Sequence, residues 1–497
     1  MCSISHKSDS RNRRGAVLSL ILLCASCITN ADITLHIDAR QVLHEISPMT
    51  FGQHLIYPFE SDRLYTSGMI PGLIIDMGTT FLRWPGGTVT TYYHWNQLTG
   101  NGWEDVWNPK YDKREDKDPA EYMDADEYMA LLRATGAQAM LGINLSSAAE
   151  WKTIDAGLEE AESLLNHFKA KGVKVGYIHL DNETYLAGNQ HNRDPNGDGK
   201  VWTADSYAEH INRYVPLIHA IFPEAKIIAN WDSRFRGTSR QTNQLRKLIK
   251  LAGRNIDYID THWKWGWRNG TWQTWKERTP MEFDFYDKKF ALAYDGYSLM
   301  DENRSFQELT AKAGHPNIRL AALEWNIAPG PWQKDPQQTP FRTALMQAEI
   351  LLQLVAANIE VAAFYSLHSP IRAETNNRFV LDTARDFTVN PVADVFRLAR
   401  HMQGRHLLQA QFSPDGVITM STEANTIGEY LVYVLNKKDA PVHINIASDT
   451  QDRSEYRAFQ IVTLTESGLH EKVGQAEAAD RITIEPNSLT MIRVRRK

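Results

Sequence analysis

Cysteine is scarce in this chain of 497 residues, and the three cysteines present all lie within the first 27 residues. Cys2, Cys24 and Cys27 leave the rest of the chain without a thiol. That larger part can therefore form no disulfide and can carry neither a cysteine nucleophile nor a thiolate-bound metal. Hydrophobic residues make up 42% of the sequence and charged residues 23%, an ordinary composition for a large globular domain with a smaller one attached.

Long apolar runs are also lacking, apart from Ala16–Ile28 near the N-terminus. A basic segment with three arginines precedes this run, which is too short to span a bilayer. Small residues at positions 29 and 31 favour cleavage after Ala31, so we expect residues 1–31 to be a signal peptide and the protein to be secreted or periplasmic. Lipoprotein processing at Cys27 stays open as the less favoured alternative. No later stretch predicts a membrane-spanning segment.

Positive charge is not in excess, since the formal net charge is −6. The expected leader carries four Lys or Arg residues against one Asp, so its removal would leave a still more acidic chain. This charge argues against nucleic acid as a partner. The sequence also has no Gly-rich phosphate turn, no His-Glu-x-x-His pattern and no serine nucleophile elbow, so nucleotide-binding proteins, zinc peptidases and serine esterases gain no support.

Short apolar runs alternate with amphipathic segments between about residues 50 and 400. The runs predict eight buried strands: Phe51–Leu55, Thr79–Trp84, Gln138–Leu145, Gly176–Asp181, Lys226–Asn230, Tyr258–His262, Arg319–Leu323 and Val361–Tyr365. The clearest helices are predicted at Ala125–Thr135, Ile154–Lys171, Ala204–Ile221, Gln241–Leu251, Phe306–Ala313 and Arg342–Ala357. This alternation predicts an α/β fold, a (β/α)8 TIM barrel over residues 51–403. A doubly wound open sheet is the competing fold.

The pattern changes near residue 404, where short alternating runs are separated by turn residues and no long helical period appears. Residues 404–497 are therefore predicted to form a C-terminal all-β sandwich domain. Residues 32–50 alternate in the same way, and we expect them to add strands to the sandwich.

Two glutamates stand at matching places in the predicted barrel. Glu183 ends the run Tyr177–Glu183 and Glu324 lies in Leu320–Asn326; each follows an apolar strand and each is next to an Asn. Because the strands of a barrel end at one mouth, we expect the two carboxyl groups to face each other. Hydrolysis of a glycosidic bond needs such a pair, one group to protonate the leaving oxygen and one to attack the sugar. We predict a separation of roughly 5–5.5 Å, the spacing of retaining enzymes.

Tryptophan is confined to one part of the chain, since all fourteen lie between Trp84 and Trp332. Two groups follow the predicted sixth and second strands: Trp263, Trp265, Trp267, Trp272 and Trp275, and Trp95, Trp103 and Trp107. Aromatic rings stack on the C–H faces of sugars, so we interpret these segments as a sugar-binding cleft. The alternative is a small core that caps the barrel mouth.

The motifs around both glutamates resemble a known group of enzymes. Asn182-Glu183 and Glu324-Trp325-Asn326 resemble the catalytic motifs of clan A retaining glycoside hydrolases. Phe51-Gly52, Leu82–Gly87 and Thr261-His262-Trp263 are similar to the branch with families 51, 39 and 79, in which a β-sandwich follows the barrel. The resemblance runs over roughly residues 33–497.

That resemblance implies roles for individual residues. Glu183 would be the acid/base and Glu324 the nucleophile, with no cofactor needed for catalysis. Asn182 would bind the sugar 2-hydroxyl, His262 would orient the nucleophile or a nearby hydroxyl, and Arg83 would pair with Glu324 and keep it ionised. Trp84 and Trp325, which belong to the same motifs, are expected to join Trp263, Trp265 and Trp267 in binding substrate.

The chain departs from family 51 in ways that concern the substrate. Asp181 stands where those enzymes usually carry Gly, and Leu323 stands where they usually carry an acidic residue. The Trp-rich segment favours an endo-acting enzyme on a plant or algal polysaccharide, such as an agar- or porphyran-type galactan. An arabinofuranosidase-like exo-glycosidase, a non-catalytic glycan-binding barrel and a polysaccharide lyase stay open as alternatives.

A separate motif predicts a structural calcium ion. Asp194, Asn196 and Asp198 supply side-chain oxygens at the spacing of an EF-hand-type loop, Lys200 would add its carbonyl, and Asp205 closes the twelve-residue span. The alternative is a polar surface turn.

Overall fold

The computed structural model describes most of the chain after residue 32. The described residues are 33–60, 62–97, 104–109, 111, 122–185, 202–232, 235–265, 272–277, 299–327, 335–369, 377–448, 456–479 and 481–496. The predicted leader, the calcium-loop residues Asp194, Asn196, Asp198 and Lys200, and Trp103 and Trp267 lie outside these residues.

Eight parallel strands close into a barrel. They are β1 (Gly52–His54), β2 (Phe81–Trp84), β3 (Gln138–Ile143), β4 (Val175–Leu180), β5 (Lys226–Asn230), β6 (Tyr258–Asp260), β7 (Arg319–Ile327) and β8 (Val361–Phe364). Each strand pairs with the next in chain order, and β8 pairs with both β7 and β1. The predicted α/β fold with a TIM barrel is therefore confirmed, and the open-sheet alternative is wrong because the first and last strands are hydrogen-bonded.

Helices accompany the barrel strands, and several begin at side chains that accept from the unpaired N–H groups of the first turn. Asp124 and Glu127 form a capping box at one helix, and Thr203 and Ser206 form the equivalent at another. The described helices are Asp62–Thr66, Met69–Asp76, Ala125–Thr135, Ser146–Glu150, Ile154–Ala170, Ala204–Ile221, Arg240–Ala252, Trp272–Glu277, Leu299–Lys312, Pro340–Ala356 and Val392–Ala399. No helix in the described part is long and apolar enough to cross a membrane.

The barrel interior is apolar in its lower part and polar near the carboxyl ends of the strands. Phe81, Met140 and Leu323 belong to a buried cluster that fills the lower part. Two residues further along β2, Arg83 is fully buried and contacts acidic and amide side chains instead. Side chains two apart on a strand share a face, so this change from apolar to polar along one strand places the polar groups at the mouth.

Two further sheets form the sandwich predicted from the sequence. Seven antiparallel strands make the larger sheet, in the order Gly468–Ala478, Tyr456–Thr465, Ser488–Arg496, Glu429–Asn436, Val417–Glu423, His406–Ser413 and His44–Glu45. The smaller sheet consists of Ile33–Ile37, Val442–Ser448 and Ile482–Ile484. Apolar side chains from both sheets form one buried cluster, as expected for packed sheets. Residues 33–45 thus contribute a strand to each sheet.

Two short strands pair Leu381–Asp382 with Thr388–Val389, and a third, Trp263–Trp265, lies beside the end of β7. Residues 32–497 group into one compact unit. A buried ion pair joins sandwich and barrel within that unit: Lys437 Nζ lies 3.0 Å from Glu349 Oε2 on the helix Pro340–Ala356.

Candidate active site

The mouth of the barrel brings together acidic, basic and amide side chains from strands that are remote in sequence. Arg83 comes from β2, Glu183 follows β4, His262 follows β6 and Glu324 lies within β7. All four side chains are buried or nearly so. Two carboxylates and two basic groups therefore share one site at the end of a barrel, where TIM-barrel enzymes carry their active sites.

A β-bulge directs Glu324 into the barrel. Ala322 pairs with Ala362 and Trp325 pairs with Phe364, so β7 has one more residue than β8 between these two pairs. Leu323 therefore belongs to the interior apolar cluster, and the next residue, Glu324, also faces inward and contacts Arg83. Bulges of this kind change the direction of a side chain without ending the strand.

Glu183 lies on a turn with unusual backbone geometry. Asp181 has φ 65° and Glu183 has φ 45°, both in the left-handed region that non-glycine residues seldom occupy. The Asp181 carboxylate accepts from Ser146 Oγ at 2.6 Å and from the Asn182 N–H at 2.9 Å. The N–H of Thr184, two residues further along, donates to Asn230 Oδ1 at 2.8 Å. These hydrogen bonds hold the turn. They stabilise Asp181 in a backbone conformation that favours glycine, the residue that family 51 enzymes usually carry at this position.

His262 bridges the two glutamates. Its Nδ1 lies 2.7 Å from Glu183 Oε1 and 3.4 Å from Glu324 Oε2, while its Nε2 lies 3.2 Å from Asp260 Oδ2. Burial alone would lower the pKa of His262, but Glu324, Glu183 and Asp260 outweigh it and raise that pKa to about 9. The imidazole is therefore protonated at neutral pH, and its charge compensates the surrounding carboxylates.

Arg83 fixes the other side of the site. Its Nη1 donates to Glu324 Oε1 at 3.1 Å and to the Leu323 carbonyl at 3.2 Å. Its Nη2 donates to Asn182 Oδ1 at 2.7 Å, which orients the amide next to Glu183. One guanidinium thus sets the positions of two residues, one on the turn after β4 and one within β7, in the fork geometry typical of Arg.

The two glutamate carboxylates lie close together. One ligand atom each from Glu183, His262 and Glu324 can be chosen so that all three lie within 4.8 Å of one another. This spacing is that of a close carboxylate pair rather than the roughly 6.5–9.5 Å that leaves room for an attacking water. The same three atoms could hold a cation, but the charges on Arg83 and His262 already oppose the carboxylates, which disfavours a bound metal.

Burial contradicts the predicted substrate-binding role of two tryptophans. Trp84 and Trp325 have no exposed surface. Trp84 stacks on Tyr128 with centroids 5.0 Å apart, and Trp325 packs edge-on against Phe364 at 4.9 Å. Each follows a residue that faces inward, so strand alternation turns both rings out of the barrel towards the surrounding helices. They therefore support the site by packing and do not reach a substrate.

Only some of the residues in the remaining aromatic and calcium predictions belong to the described part of the chain. The backbone of Trp263 and Trp265 forms the short strand beside the end of β7, which places this segment next to the site. Asp205 is the second residue of the helix Ala204–Ile221, and its Oδ2 accepts from Lys247 Nζ at 2.5 Å. This carboxylate is thus engaged by a lysine in the structure.

Three residues at the site were given no individual role in the sequence analysis. Asp260 ends β6 and contacts His262, His54 ends β1, and Gly87 follows β2 next to Glu324. A Cβ at Gly87 would lie 2.6 Å from Glu324 Oε1, so glycine leaves the space that the carboxylate occupies. His54 and Asp260 could have been found in the sequence, because each is a polar residue at the carboxyl end of a predicted barrel strand.

Comparison with known proteins identifies the fold. No protein-family model and no curated protein sequence matches the chain. The chain is similar in structure to an α-L-arabinofuranosidase from Thermotoga maritima solved with arabinose, with 16% identity and a TM-score of 0.65 over 93% of this chain and 99% of that one. It is similar to CelM2, a bifunctional glucanase-xylanase from a metagenome library, with 16% identity and a TM-score of 0.66 over 94% and 99%.

A xyloglucanase of glycoside hydrolase family 44 from Paenibacillus polymyxa, solved with xyloglucan, matches with 14% identity and a TM-score of 0.62 over 94% of this chain and 100% of that one. The likeness is one of fold. It spans barrel and sandwich together, and it confirms the expected resemblance to clan A glycoside hydrolases at that level.

Proposed function

We propose that the chain is a retaining glycoside hydrolase that cleaves a polysaccharide or oligosaccharide by double displacement. The observation that carries the proposal is the close approach of the Glu183 and Glu324 carboxylates, bridged by His262 at the mouth of a barrel. The fold shared with arabinofuranosidases and glucanases supports it.

The first displacement forms a covalent intermediate. A carboxylate oxygen of Glu324 attacks the anomeric carbon, and the bond from that carbon to the glycosidic oxygen breaks. The leaving oxygen takes the proton of Glu183, which must therefore be protonated when the substrate binds. Arg83 keeps Glu324 ionised, and Asn182 presents its amide to the sugar 2-hydroxyl, where a hydrogen bond strengthens as positive charge develops on the ring.

The second displacement returns the enzyme to its starting state. Water attacks the same anomeric carbon and gives its proton to Glu183, while the ester bond to Glu324 breaks and releases the carboxylate. The loss of charge on Glu324 in the intermediate removes a negative neighbour of Glu183, which favours its ionised form as a base. His262, whose Nδ1 faces both carboxylates, stabilises whichever is negative.

For the substrate we propose a plant or algal polysaccharide cut internally, with a galactan of the agar or porphyran type as one candidate. The tryptophan-rich segment that begins beside β7 supports an extended cleft. An arabinofuranosidase-like exo-glycosidase is the second candidate, supported by the fold shared with such enzymes. Export through the leader at residues 1–31 and a calcium ion at the loop ending in Asp205 complete the proposal.

Replacement of each glutamate tests the roles. We expect Glu324→Ala to lose activity on every substrate. Glu183→Ala should keep turnover of aryl glycosides with good leaving groups and should gain rate with added azide, because azide needs no base. Glu308→Ala is the matched control, since that glutamate is exposed on the helix Leu299–Lys312 and remote from the site.

A screen of plant and algal polysaccharides with chromatography of the products identifies the substrate. Saturated sugars with a new reducing end support the hydrolase, whereas an unsaturated product with ultraviolet absorbance would identify a lyase. Glycan binding that survives both Glu→Ala changes, with no product from the wild-type protein, would identify a binding protein and contradict the proposal.

A further inference from the structure

His54 lies at the end of β1 with no exposed surface, and its two ring nitrogens face different groups. The backbone N–H of Gly87 donates to Nε2 at 2.6 Å. A backbone N–H can only donate, so Nε2 must carry a lone pair and not a proton. The contact therefore fixes the imidazole in the tautomer whose proton is on Nδ1.

The ring is also neutral. Burial, followed by the charge of Arg83, holds the pKa of His54 well below its ordinary value, and His179 and His262 act in the same direction while Glu324 opposes them. The single proton on Nδ1 has no hydrogen-bond partner among the described residues, and Nδ1 lies 3.9 Å from Glu324 Oε1. A buried N–H donor without an acceptor is costly, and the nearby carboxylate oxygen is an acceptor that a small movement would bring into range.

The two oxygens of Glu324 have different surroundings. Oε1 accepts from Arg83 at 3.1 Å, faces His54 Nδ1 and lies against Gly87. Oε2 lies 3.4 Å from His262 Nδ1, the nitrogen that also contacts Glu183. Since Glu183 must protonate the leaving oxygen, Oε2 is on the side where a sugar would bind, and Oε1 is on the side held by the protein.

We propose that His54 is a positioning residue for the nucleophile: its Nδ1–H binds Glu324 Oε1 and so directs Oε2 at the anomeric carbon. The inference rests on the proposed function of this site. In the glycosyl ester, Oε1 is the carbonyl oxygen, and it regains negative charge as the ester bond to Oε2 breaks. A neutral N–H donor beside Oε1 favours that step without lowering the nucleophilicity of Glu324 as far as a further positive charge, added to those of Arg83 and His262, would.

A pair of substitutions separates the two contacts of His54. Gln places its side-chain amide near the position of Nε2, so His54→Gln can still accept from the Gly87 N–H but offers no donor to Glu324. Asn places its amide near the position of Nδ1, so His54→Asn can donate to Glu324 but leaves the Gly87 N–H without its acceptor. The measurement is the rate at which 2-deoxy-2-fluoro glycosides, tested as a panel of sugars, inactivate each folded variant, together with its Tm.

We expect His54→Gln to keep a Tm near that of the wild-type protein and to react on the order of 100-fold more slowly, because Glu324 Oε2 is no longer aimed at the anomeric carbon. His54→Asn should have the lower Tm and the faster reaction of the two. Equal reaction rates for the two variants, or a wild-type rate for His54→Gln, would show that His54 only holds the Gly87 segment and would overturn the proposal. A wild-type protein that no probe inactivates, and that cleaves no glycan, would instead overturn the proposed function itself.

Discussion

Single atoms decide the geometry around Glu324. The carboxylate lies against the Cα of Gly87, where a methyl group would come within 2.6 Å of Oε1. Arg83 binds the same oxygen from another direction, so the carboxylate has little freedom to move aside. The glycine is therefore part of the active-site shape and not merely a turn residue.

We predict that Gly87→Ala folds but loses activity by about 100-fold or more, because the displaced carboxylate no longer lies in line with the anomeric carbon. Initial rates and circular dichroism measure the two effects. Gly72→Ala is the matched control, since nothing lies within 4 Å of a Cβ at that helical position. Full activity of Gly87→Ala would show that Glu324 tolerates displacement and is not held for attack.

At this scale the sequence predicted the two carboxylates and the Arg83 and His262 side chains that contact them, but it gave a wrong role to two tryptophans and missed two further contacts. Glu183 and Glu324 were identifiable because each follows a buried strand and lies next to an Asn. The prediction that Trp84 and Trp325 bind substrate was wrong. Each follows a residue that faces into the barrel, so strand alternation turns both tryptophan rings outward. His54 and Gly87 act through contacts between segments 33 positions apart, which no local pattern displays.

Among the elements, the segment that follows β2 is held by a buried charged cluster. His94 Nδ1 lies 2.8 Å from Glu160 Oε2, and Nε2 lies 3.0 Å from Asp105 Oδ1. Asp105 also accepts from the Trp107 N–H at 2.8 Å and from Trp151 Nε1 at 2.7 Å, and the Trp107 ring packs on the imidazole at 4.3 Å. The cluster thus ties an aromatic segment of the mouth to the helix Ile154–Ala170, which carries Glu160.

This cluster predicts a pH-dependent stability. Burial lowers the pKa of His94, but Asp105 and Glu160 outweigh it and raise that pKa to about 9, above the 6.5 of an unfolded histidine. A raised histidine pKa stabilises the fold fully below pH 6.5, and the contribution disappears as pH rises through about 9. We expect His94→Gln to cost on the order of 3 kcal/mol at pH 6 and much less at pH 9.5, measured by denaturant unfolding at both values.

The exposed His406, paired with Glu423 on the sandwich, provides the control. His406→Gln should change the free energy of unfolding little at either pH, as expected for a surface pair. An equal cost for His94→Gln at pH 6 and pH 9.5 would contradict a buried imidazolium. His262 has the same direction of shift, so the difference between wild-type and variant curves isolates His94.

Most element types were predictable, and the errors have physical causes. Ala125–Thr135 and Ala204–Ile221 have the predicted bounds because capping side chains mark their first turns. β7 runs to Ile327, beyond the predicted Leu323, because a bulge lets polar residues continue the strand. The strand Gly468–Ala478 was not predicted, since it is at a sheet edge and its side chains are largely charged or small.

On the scale of the whole molecule, the sandwich covers one face of the barrel. The helix Pro340–Ala356 is buried over most of its length, which a helix at the outer surface of a lone barrel would not be. Lys437 from the sandwich contacts Glu349 of this helix at 3.0 Å, and its ammonium lies 4.4 Å from the Trp275 ring. Burial raises the pKa of Glu349 while Lys437 opposes that change, so the paired charges belong to the interface.

The architecture could be predicted from the pattern of strands and helices, whereas the substrate and the chemistry depend on particular residues at the barrel mouth. The alternation of strands and helices followed by a strand-only region was sufficient to predict barrel and sandwich. The substrate depends on the segments at the mouth, and a shared fold at 16% identity does not determine these. The chemistry depends on the pair at the centre of the mouth, so the most direct test concerns those two residues.

Mass spectrometry of a trapped intermediate tests the central claim that Glu183 and Glu324 act as a retaining pair. The wild-type protein is inactivated with the reactive member of the 2-deoxy-2-fluoro glycoside panel and digested with pepsin. We predict one added fluorosugar, linked as an ester to Glu324 in the peptide that contains β7, and none on Glu183. A sugar attached to a different residue, or turnover with inverted anomeric configuration and no attached sugar, would contradict the account.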